Sequence, residues 1–365
     1  MTECTHTQWL TNTEYLDQFH RKAVRLRIPL SGSLDLTYRC NLKCVHCYVG
    51  PQNDVREMQK EEMATDKVLS LIDEITDAGC LDLLISGGEP LMRKDFSNVF
   101  LHAKMKGLLV TVFTNGTLVT EDVLSLFHRY PPYLVEISLY GATSATYEAV
   151  TGVPGSYARC IDGVERLLSK GIRVKLKTML MTLNCHELSA MEQVARAYGI
   201  SFRLDAALFP QINGDKAPLA MRISPDDAVE HELTDVERLK SWKEFFAGQD
   251  GSPVSDQLYV CGAGNTGFHI DPYGILKPCV MVRSNTSNLS EGSFLSGWNG
   301  PIKEISDKKA SPTYACNGCG YYVLCGACPG FFELENGAED LHSEYLCAMA
   351  RARMRKLSSY THIVR

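Results

Sequence analysis

Cys40, Cys44 and Cys47 stand on one eight-residue loop, Cys-Asn-Leu-Lys-Cys-Val-His-Cys. Three thiolates so close together can wrap a single metal centre. A [4Fe–4S] cluster has four irons, so three cysteines leave one iron open to a small molecule that can accept an electron there. The same residues also read as a zinc site with His46 as fourth ligand, although His46 lies between two of the cysteines and is poorly placed to reach the same ion. A second group, Cys261, Cys279, Cys316, Cys319, Cys325, Cys328 and Cys347, fills the last third of the chain. Within it, Cys316-x2-Cys319 and Cys325-x2-Cys328 have the spacing of a pair of zinc knuckles as well as of cluster ligands. Cys4, Cys80, Cys160 and Cys185 are scattered and are expected to be buried or idle thiols.

The elements that must position these residues are legible from periodicity. Short apolar runs at Ser33–Thr37, Leu81–Ser86, Leu108–Thr114, Leu134–Leu139, Ile172–Met181 and Ser201–Ala207 read as strands. Amphipathic stretches at Lys60–Ala78, Asp95–Lys106, Thr120–Arg129, Tyr157–Lys170 and His186–Tyr198 read as helices. Gly79, Gly107, Gly171 and Gly199 each follow a helix and precede a strand, where a helix-terminating glycine belongs. The repeat predicts an α/β fold with a parallel sheet, a partial TIM-like (β/α)6 barrel; the small cysteine-rich domain that follows is too poor in apolar segments to hold together without metal. The expected boundaries are an N-terminal extension over 1–30, the barrel over 31–215, a linker with a helix from Ser224 to Phe246 over 216–258, the cluster domain over 259–350 and a C-terminal helix over 351–365. Gly264–Ile270 and Ile275–Val280 read as a small hairpin about Asp271-Pro272-Tyr273-Gly274. In such a sheet the active site lies at the C-terminal ends of the strands.

The 365 residues carry a formal net charge of -6, which argues against a nucleic-acid footprint. Arg351, Arg353, Arg355 and Lys356 read as the solvated face of the last helix. No segment has the ~18 apolar residues that span a bilayer, and Met1–Leu30 has no signal-peptide core, so a cytoplasmic protein without membrane partners is expected. In that reducing compartment, 14 cysteines point to metal ligands rather than disulfides.

The C-x3-C-x2-C loop at the end of the first strand resembles the radical S-adenosylmethionine (SAM) family motif. One βα unit later, Ser86-Gly87-Gly88-Glu89-Pro90 resembles the family's Gly-Gly-Glu-Pro segment, which binds the amino group of SAM. Ser138 is similar to a SAM-contacting serine, and Arg159 to the arginine that pairs with the SAM carboxylate; as a plain residue Arg159 reads equally as an exposed helix position. Asn115 follows the third strand and either lines the site or only makes the turn. The resemblance implies that SAM chelates the open iron, is cleaved by one electron, and yields a 5'-deoxyadenosyl radical that takes a hydrogen atom from the substrate. A flavodoxin- or ferredoxin-type reductant is implied with it.

The second cysteine group resembles the SPASM extension of this family, with all seven cysteines in order. It implies two auxiliary [4Fe–4S] clusters, three in all. Carried over, Cys261, Cys279 and Cys328 hold the first and Cys316, Cys319, Cys325 and Cys347 the second. The fourth ligand of the first is open. SPASM enzymes mostly modify ribosomally made peptides or proteins, by crosslinking, epimerisation or backbone excision among others. The formylglycine-forming sulfatase maturases fit less well, because Val280 stands where they carry a basic aspartate and Ser86 where they usually carry glutamine. About 30 residues precede the first strand, which suggests either a separate leader-peptide recognition protein or a substrate that needs no leader. Oxidation of a small molecule, such as a sugar or a haem-pathway intermediate, and a non-catalytic metal scaffold are the competing readings. Tyr48 and Tyr140 are expected near the site as packing or adenine-facing aromatics.

Overall fold

The computed structural model describes residues 11–51, 55–247 and 256–361. Cys4 lies outside them. Six parallel strands form the barrel: β1 (Ser31–Thr37), β2 (Asp82–Gly87), β3 (Leu109–Thr114), β4 (Leu134–Ser138), β5 (Val174–Met179) and β6 (Phe202–Asp205). Three short strands follow, β7 (Gly267–Ile270), β8 (Ile275–Lys277) and β9 (Ser287–Asn288). The helices are α1 (Asn12–Leu26), α2 (Val55–Glu61), α3 (Thr65–Asp77), α4 (Phe96–Met105), α5 (Glu121–Arg129), α6 (Ser144–Thr151), α7 (Ser156–Ser169) and α8 (Leu188–Ala197) around the barrel. Beyond it come α9 (Pro225–Thr234), α10 (Val236–Ala247), α11 (Phe294–Asn299), α12 (Tyr322–Cys325), α13 (Pro329–Asn336) and α14 (Glu344–Thr361).

Alternation along the strands builds the two faces. Leu34, Leu36, Leu83, Ile85, Val110, Val112, Val135, Ile137 and Leu176 are buried in the main core. Val68, Leu71, Ile72 and Ile75 repeat at helical spacing to form the buried stripe of α3, and Phe96, Val99, Phe100 and Ala103 do the same for α4. Each such side chain contributes about 1.5–3 kcal/mol by leaving water. The intervening strand residues, Ser33, Asp35, Thr37, Ser86, Phe113, Ser138 and Lys177 among them, fall on the opposite, concave face. Gly79, Gly107, Gly171 and Gly199 all end their helices in the left-handed region.

The helices depart from the sequence reading at four places. The expected helix Lys60–Ala78 breaks between α2 and α3 because Glu62 is taken by Arg39, at 2.9 Å, while the Met63 amide donates to the Pro272 carbonyl at 2.8 Å. The helix expected from Ser224 to Phe246 breaks at Asp235, whose side chain accepts from the Arg238 amide at 2.9 Å and starts α10. Helix α6 was not anticipated; Thr143 caps it by accepting from the Thr146 amide. The last helix begins at Glu344, ahead of the expected 351.

The hairpin forms about residues 271–274 as expected, with β7 and β8 antiparallel, but it joins the barrel sheet, which was not expected. β7 pairs in parallel with β1, Ser31 against Gly267 through Leu34 against Ile270, so one nine-stranded sheet runs β6-β5-β4-β3-β2-β1-β7-β8-β9. Gly32 permits this approach: a Cβ there would lie 2.3 Å from Phe268 Cζ. Phe268 in turn packs on Phe294 and Trp298, with ring centroids 4.8 and 6.3 Å away. Arg27, at the end of α1, lies 4.9 Å over the Trp298 ring and donates to the Gly264 carbonyl at 2.7 Å. No described helix is long and apolar enough to cross a membrane.

Candidate active site

β1 delivers Cys40, Cys44 and Cys47 at its C-terminal end, and β2 delivers Gly87–Pro90 beside them. The Gly88 amide donates to the Thr37 carbonyl at 2.7 Å and the Glu89 amide to the Arg39 carbonyl at 2.9 Å. Only glycine allows this seam. Gly87 has φ +131° and a Cβ there would meet the Thr37 oxygen at 2.2 Å; one on Gly88 would meet the Arg39 and Tyr38 oxygens at 2.4 and 2.5 Å. Pro90 is buried and opens a single 3-10 turn to Met92.

Glu89 is wholly buried, and its carboxylate accepts from three protein donors. It accepts from the Thr114 hydroxyl at 2.8 and 3.0 Å, the Asn115 amide at 2.7 Å and the Leu91 amide at 3.1 Å. Burial pushes its pKa up to about 7 against those hydrogen bonds. Its structural work is to tie the ends of β2 and β3 together. Asn115 joins the cysteine loop: its Nδ2 donates to Asn41 Oδ1 at 2.9 Å and lies 3.8 Å from Cys40 Sγ, while its Oδ1 accepts from the Thr117 hydroxyl at 2.6 Å. A donor to a ligand sulfur tunes the potential of the metal it holds.

Ser138 ends β4. Its side chain hydrogen-bonds Tyr140 and its carbonyl accepts from Cys160 Sγ at 3.8 Å. Arg159, the residue before Cys160 on α7, is exposed. His46 is buried edge-on to Tyr140, with ring centroids 4.6 Å apart, and its Nδ1 has no hydrogen-bond partner. Burial pushes its pKa down to about 4, so it stays neutral. Burial first, and then the neighbouring Cys40 and Cys47 thiols, push the Cys44 thiol up; burial likewise pushes Cys40 up to about 12. A metal cation would reverse these shifts.

The later cysteines gather in two further groups. Cys316, Cys319, Cys325 and Cys347 line one cavity with Tyr322 and Arg351. Burial, then Cys347, Cys316 and Cys319, push Cys325 up to about 12. Cys279 and Cys328 are half-buried, and each feels Cys261, with Cys328 raised to about 11 by burial and then by Cys279 and Cys261. Cys80 and Cys160 are buried core thiols and Cys185 is half-buried. Among the described residues, no three donors of the His, Cys, Asp or Glu type close on one point as a single metal ion requires.

Sequence reasoning missed the polar residues of the concave face. Lys177 on β5 sits over the Phe113 ring, with Glu136 at 3.9 Å, and burial pushes its pKa down to about 7. Asp35 and His269 come together there only because β7 lies beside β1. The alternation of β1 placed Asp35 on the concave face but gave no sign of what would meet it.

A parallel sheet with a three-cysteine loop and a glycine-rich turn at its C-terminal edge defines a SAM-dependent radical enzyme. The chain belongs to the radical SAM superfamily, whose family model matches residues 34–196. It is 30% identical over 318 residues to the mycofactocin maturase MftC of Mycobacterium ulcerans, covering 83% of this chain and 84% of that protein. It is 27% identical to the AdoMet-dependent heme synthase of Methanosarcina barkeri, over 80% of this chain and 89% of that one. Among solved structures, Streptococcus suis SuiB bound to its precursor peptide SuiA superposes with a TM-score of 0.69, at 16% identity, over 95% of this chain and 84% of that one. That likeness is one of fold. The protein is therefore a radical SAM enzyme that uses SAM and a [4Fe–4S] cluster, and its cysteine-rich C-terminal region fits a SPASM-like extension.

Proposed function

We propose that the enzyme modifies a ribosomally made peptide or protein through a radical formed from SAM, and that it holds three [4Fe–4S] clusters. Cys40, Cys44 and Cys47 would hold the catalytic cluster. Cys261, Cys279 and Cys328 would hold one auxiliary cluster, and Cys316, Cys319, Cys325 and Cys347 the other. The observation that carries this is the gathering of ten cysteines into three thiol groups, two of them built from residues far apart in sequence. Soft thiolates suit iron–sulfur clusters, and a cluster spreads its ligands more widely than the tight shell of one zinc ion. The unpaired His46 Nδ1 and the close-packed Gly87–Gly88 turn beside the loop suit a polar ligand such as SAM.

When bound and reduced, SAM and its cluster supply the 5'-deoxyadenosyl radical that takes a hydrogen atom from the substrate. The chain's own residues orient and enclose the reactants. Gly87, Gly88 and Pro90 shape the turn that would receive the SAM amino group. Glu89 fixes that turn from behind, and the lone-pair capacity its three donors leave on the carboxylate would serve the ammonium. Ser138, Asn115 and Arg159 would line the remainder, Arg159 reaching in from the surface of α7. Peptide modification is supported by the word maturase in the name of the mycobacterial relative and by the peptide bound to SuiB. A separate leader-binding protein and a flavodoxin- or ferredoxin-type reductant in the cytoplasm complete the reading. Likeness to the heme synthase favours, as a second reading, oxidation of a small cofactor-pathway molecule.

The test is to incubate the reconstituted enzyme with SAM, reductant and the deuterated precursor peptide encoded beside its gene. Deuterium in 5'-deoxyadenosine is expected. Deuterium-free 5'-deoxyadenosine with unmodified peptide would contradict the peptide reading and leave the small-molecule one.

A further inference from the structure

Three neighbouring side chains carry buried polar atoms with no hydrogen-bond partner: Asp35 Oδ2 and His269 Nε2 on the concave face, and Tyr38 Oη just after the end of β1. Asp35 and His269 are each 2% exposed and Tyr38 6%. His269 is aimed by Ser33, whose Oγ lies 2.9 Å from its Nδ1. Its Nε2 stops 3.7 Å from Asp35 Oδ2, too far for a direct hydrogen bond. An unpaired buried carboxylate is costly unless a proton or a ligand serves it. Burial, reinforced by Asp271 and opposed by Lys277, pushes Asp35 up to about 7. His269 is pushed down to about 3 by burial and Lys277, and so is neutral. The titratable groups facing Asp35 are His269 on β7, the Asp271–Lys277 ion pair of the hairpin at 3.1 Å, Tyr38 and Tyr48.

The place of this cluster is telling. Asp35 pairs in register with Ser86, the residue before Gly87. The Ser86 side chain hydrogen-bonds Tyr48, the residue after Cys47. On the other side, His269 belongs to the hairpin whose second strand leads to Cys279. The cluster thus lies between the first cysteine loop and the auxiliary group, and Val280 leaves the hairpin without a carboxylate next to Cys279.

We propose that Asp35 is the proton acceptor of this enzyme, with His269 and Tyr38 orienting the O–H or N–H of the substrate that gives up the proton. The step balances as a two-electron oxidation. Hydrogen-atom abstraction breaks the substrate C–H bond and leaves a carbon radical. That radical loses one electron to an iron–sulfur acceptor, and the adjacent O–H or N–H loses its proton to Asp35 Oδ2. A C=O or C=N bond forms. The inference rests on the proposed function for the substrate and for the iron–sulfur cluster that accepts the electron.

Two measurements on the holoenzyme test it. The first is the ratio of oxidised peptide to 5'-deoxyadenosine for wild type, Asp35→Asn and Asp35→Glu. The ratio is expected to fall at least tenfold in D35N and to recover partly in D35E; a wild-type ratio in D35N overturns the proposal. The second needs no substrate: the infrared band of a protonated buried carboxyl, titrated between pH 5 and 9. A band that fades near neutral pH and is missing from D35N supports Asp35 as a group able to take a proton, and its absence from wild type throughout overturns it. If wild type modifies no peptide, the peptide reading fails and the infrared titration still decides the role of Asp35. If D35N does not fold, D35E and His269→Gln carry the ratio measurement, with a fall of several-fold expected in H269Q and an unchanged ratio counting against the proposal.

Discussion

Glu89 illustrates how a motif residue acts through its neighbours. Its two oxygens serve the Thr114 hydroxyl and Asn115 amide at the end of β3 and the Leu91 amide of its own turn. Glu89→Gln replaces one acceptor with a donor, so the Leu91 or the Asn115 amide must face an N–H. An unsatisfied buried group of this kind costs about 1–3 kcal/mol. The variant is expected to melt earlier and to bind SAM more weakly, as read by anaerobic thermal melts and equilibrium dialysis; unchanged values in both would remove Glu89 from its organising role. Asp35 makes a prediction in pH. Its folded pKa of about 7 lies above its ordinary value of 3.8. The folded state therefore holds the proton longer, and stability is lost as pH rises from about 4 to about 7. Asp35→Asn removes that loss. It is expected to stabilise the protein at pH 8 by on the order of 4 kcal/mol and to change little at pH 4, where the folded-state side chain is neutral in both. A gain of the same size at both pH values would contradict the assignment.

Among the elements, the join between β1 and β7 matters most, because it brings the auxiliary hairpin onto the barrel. It depends on Gly32, where a Cβ would lie within 2.3–3.0 Å of three Phe268 ring atoms. Gly32→Ala must push that buried ring back against Phe294 and Trp298, a strain of about 1–3 kcal/mol. The expected result is a lower melting temperature with faster hydrogen exchange in β7, read by mass spectrometry, while β3 to β5 keep their protection. This join was hidden in the sequence. β7 has four residues, its partner lies more than 230 positions away, and nothing local names that partner. The six βα units were legible because each carries its own periodicity and four of the strands are preceded by a helix-ending glycine. The breaks at Met63 and Asp235 were not, since a tertiary contact to Pro272 made one and a capping side chain inside an unbroken apolar pattern made the other. Of the site, the cysteine and glycine spacings were legible because they are local. The cluster of Asp35, Tyr38 and His269 was not, because it exists only after the hairpin docks.

At the scale of the whole molecule, one sheet is proposed to carry a catalytic cluster at the end of β1 and two auxiliary clusters beyond its β7–β9 end. Anaerobic iron and sulfide analysis of the reconstituted enzyme tests it most directly. Wild type is expected to hold about 12 irons per chain and the Cys40/Cys44/Cys47→Ala variant about 8, with sulfide in step. Wild type with zinc alone, or with about 4 irons that the variant loses, would contradict the three-cluster account and make the C-terminal region a scaffold without clusters.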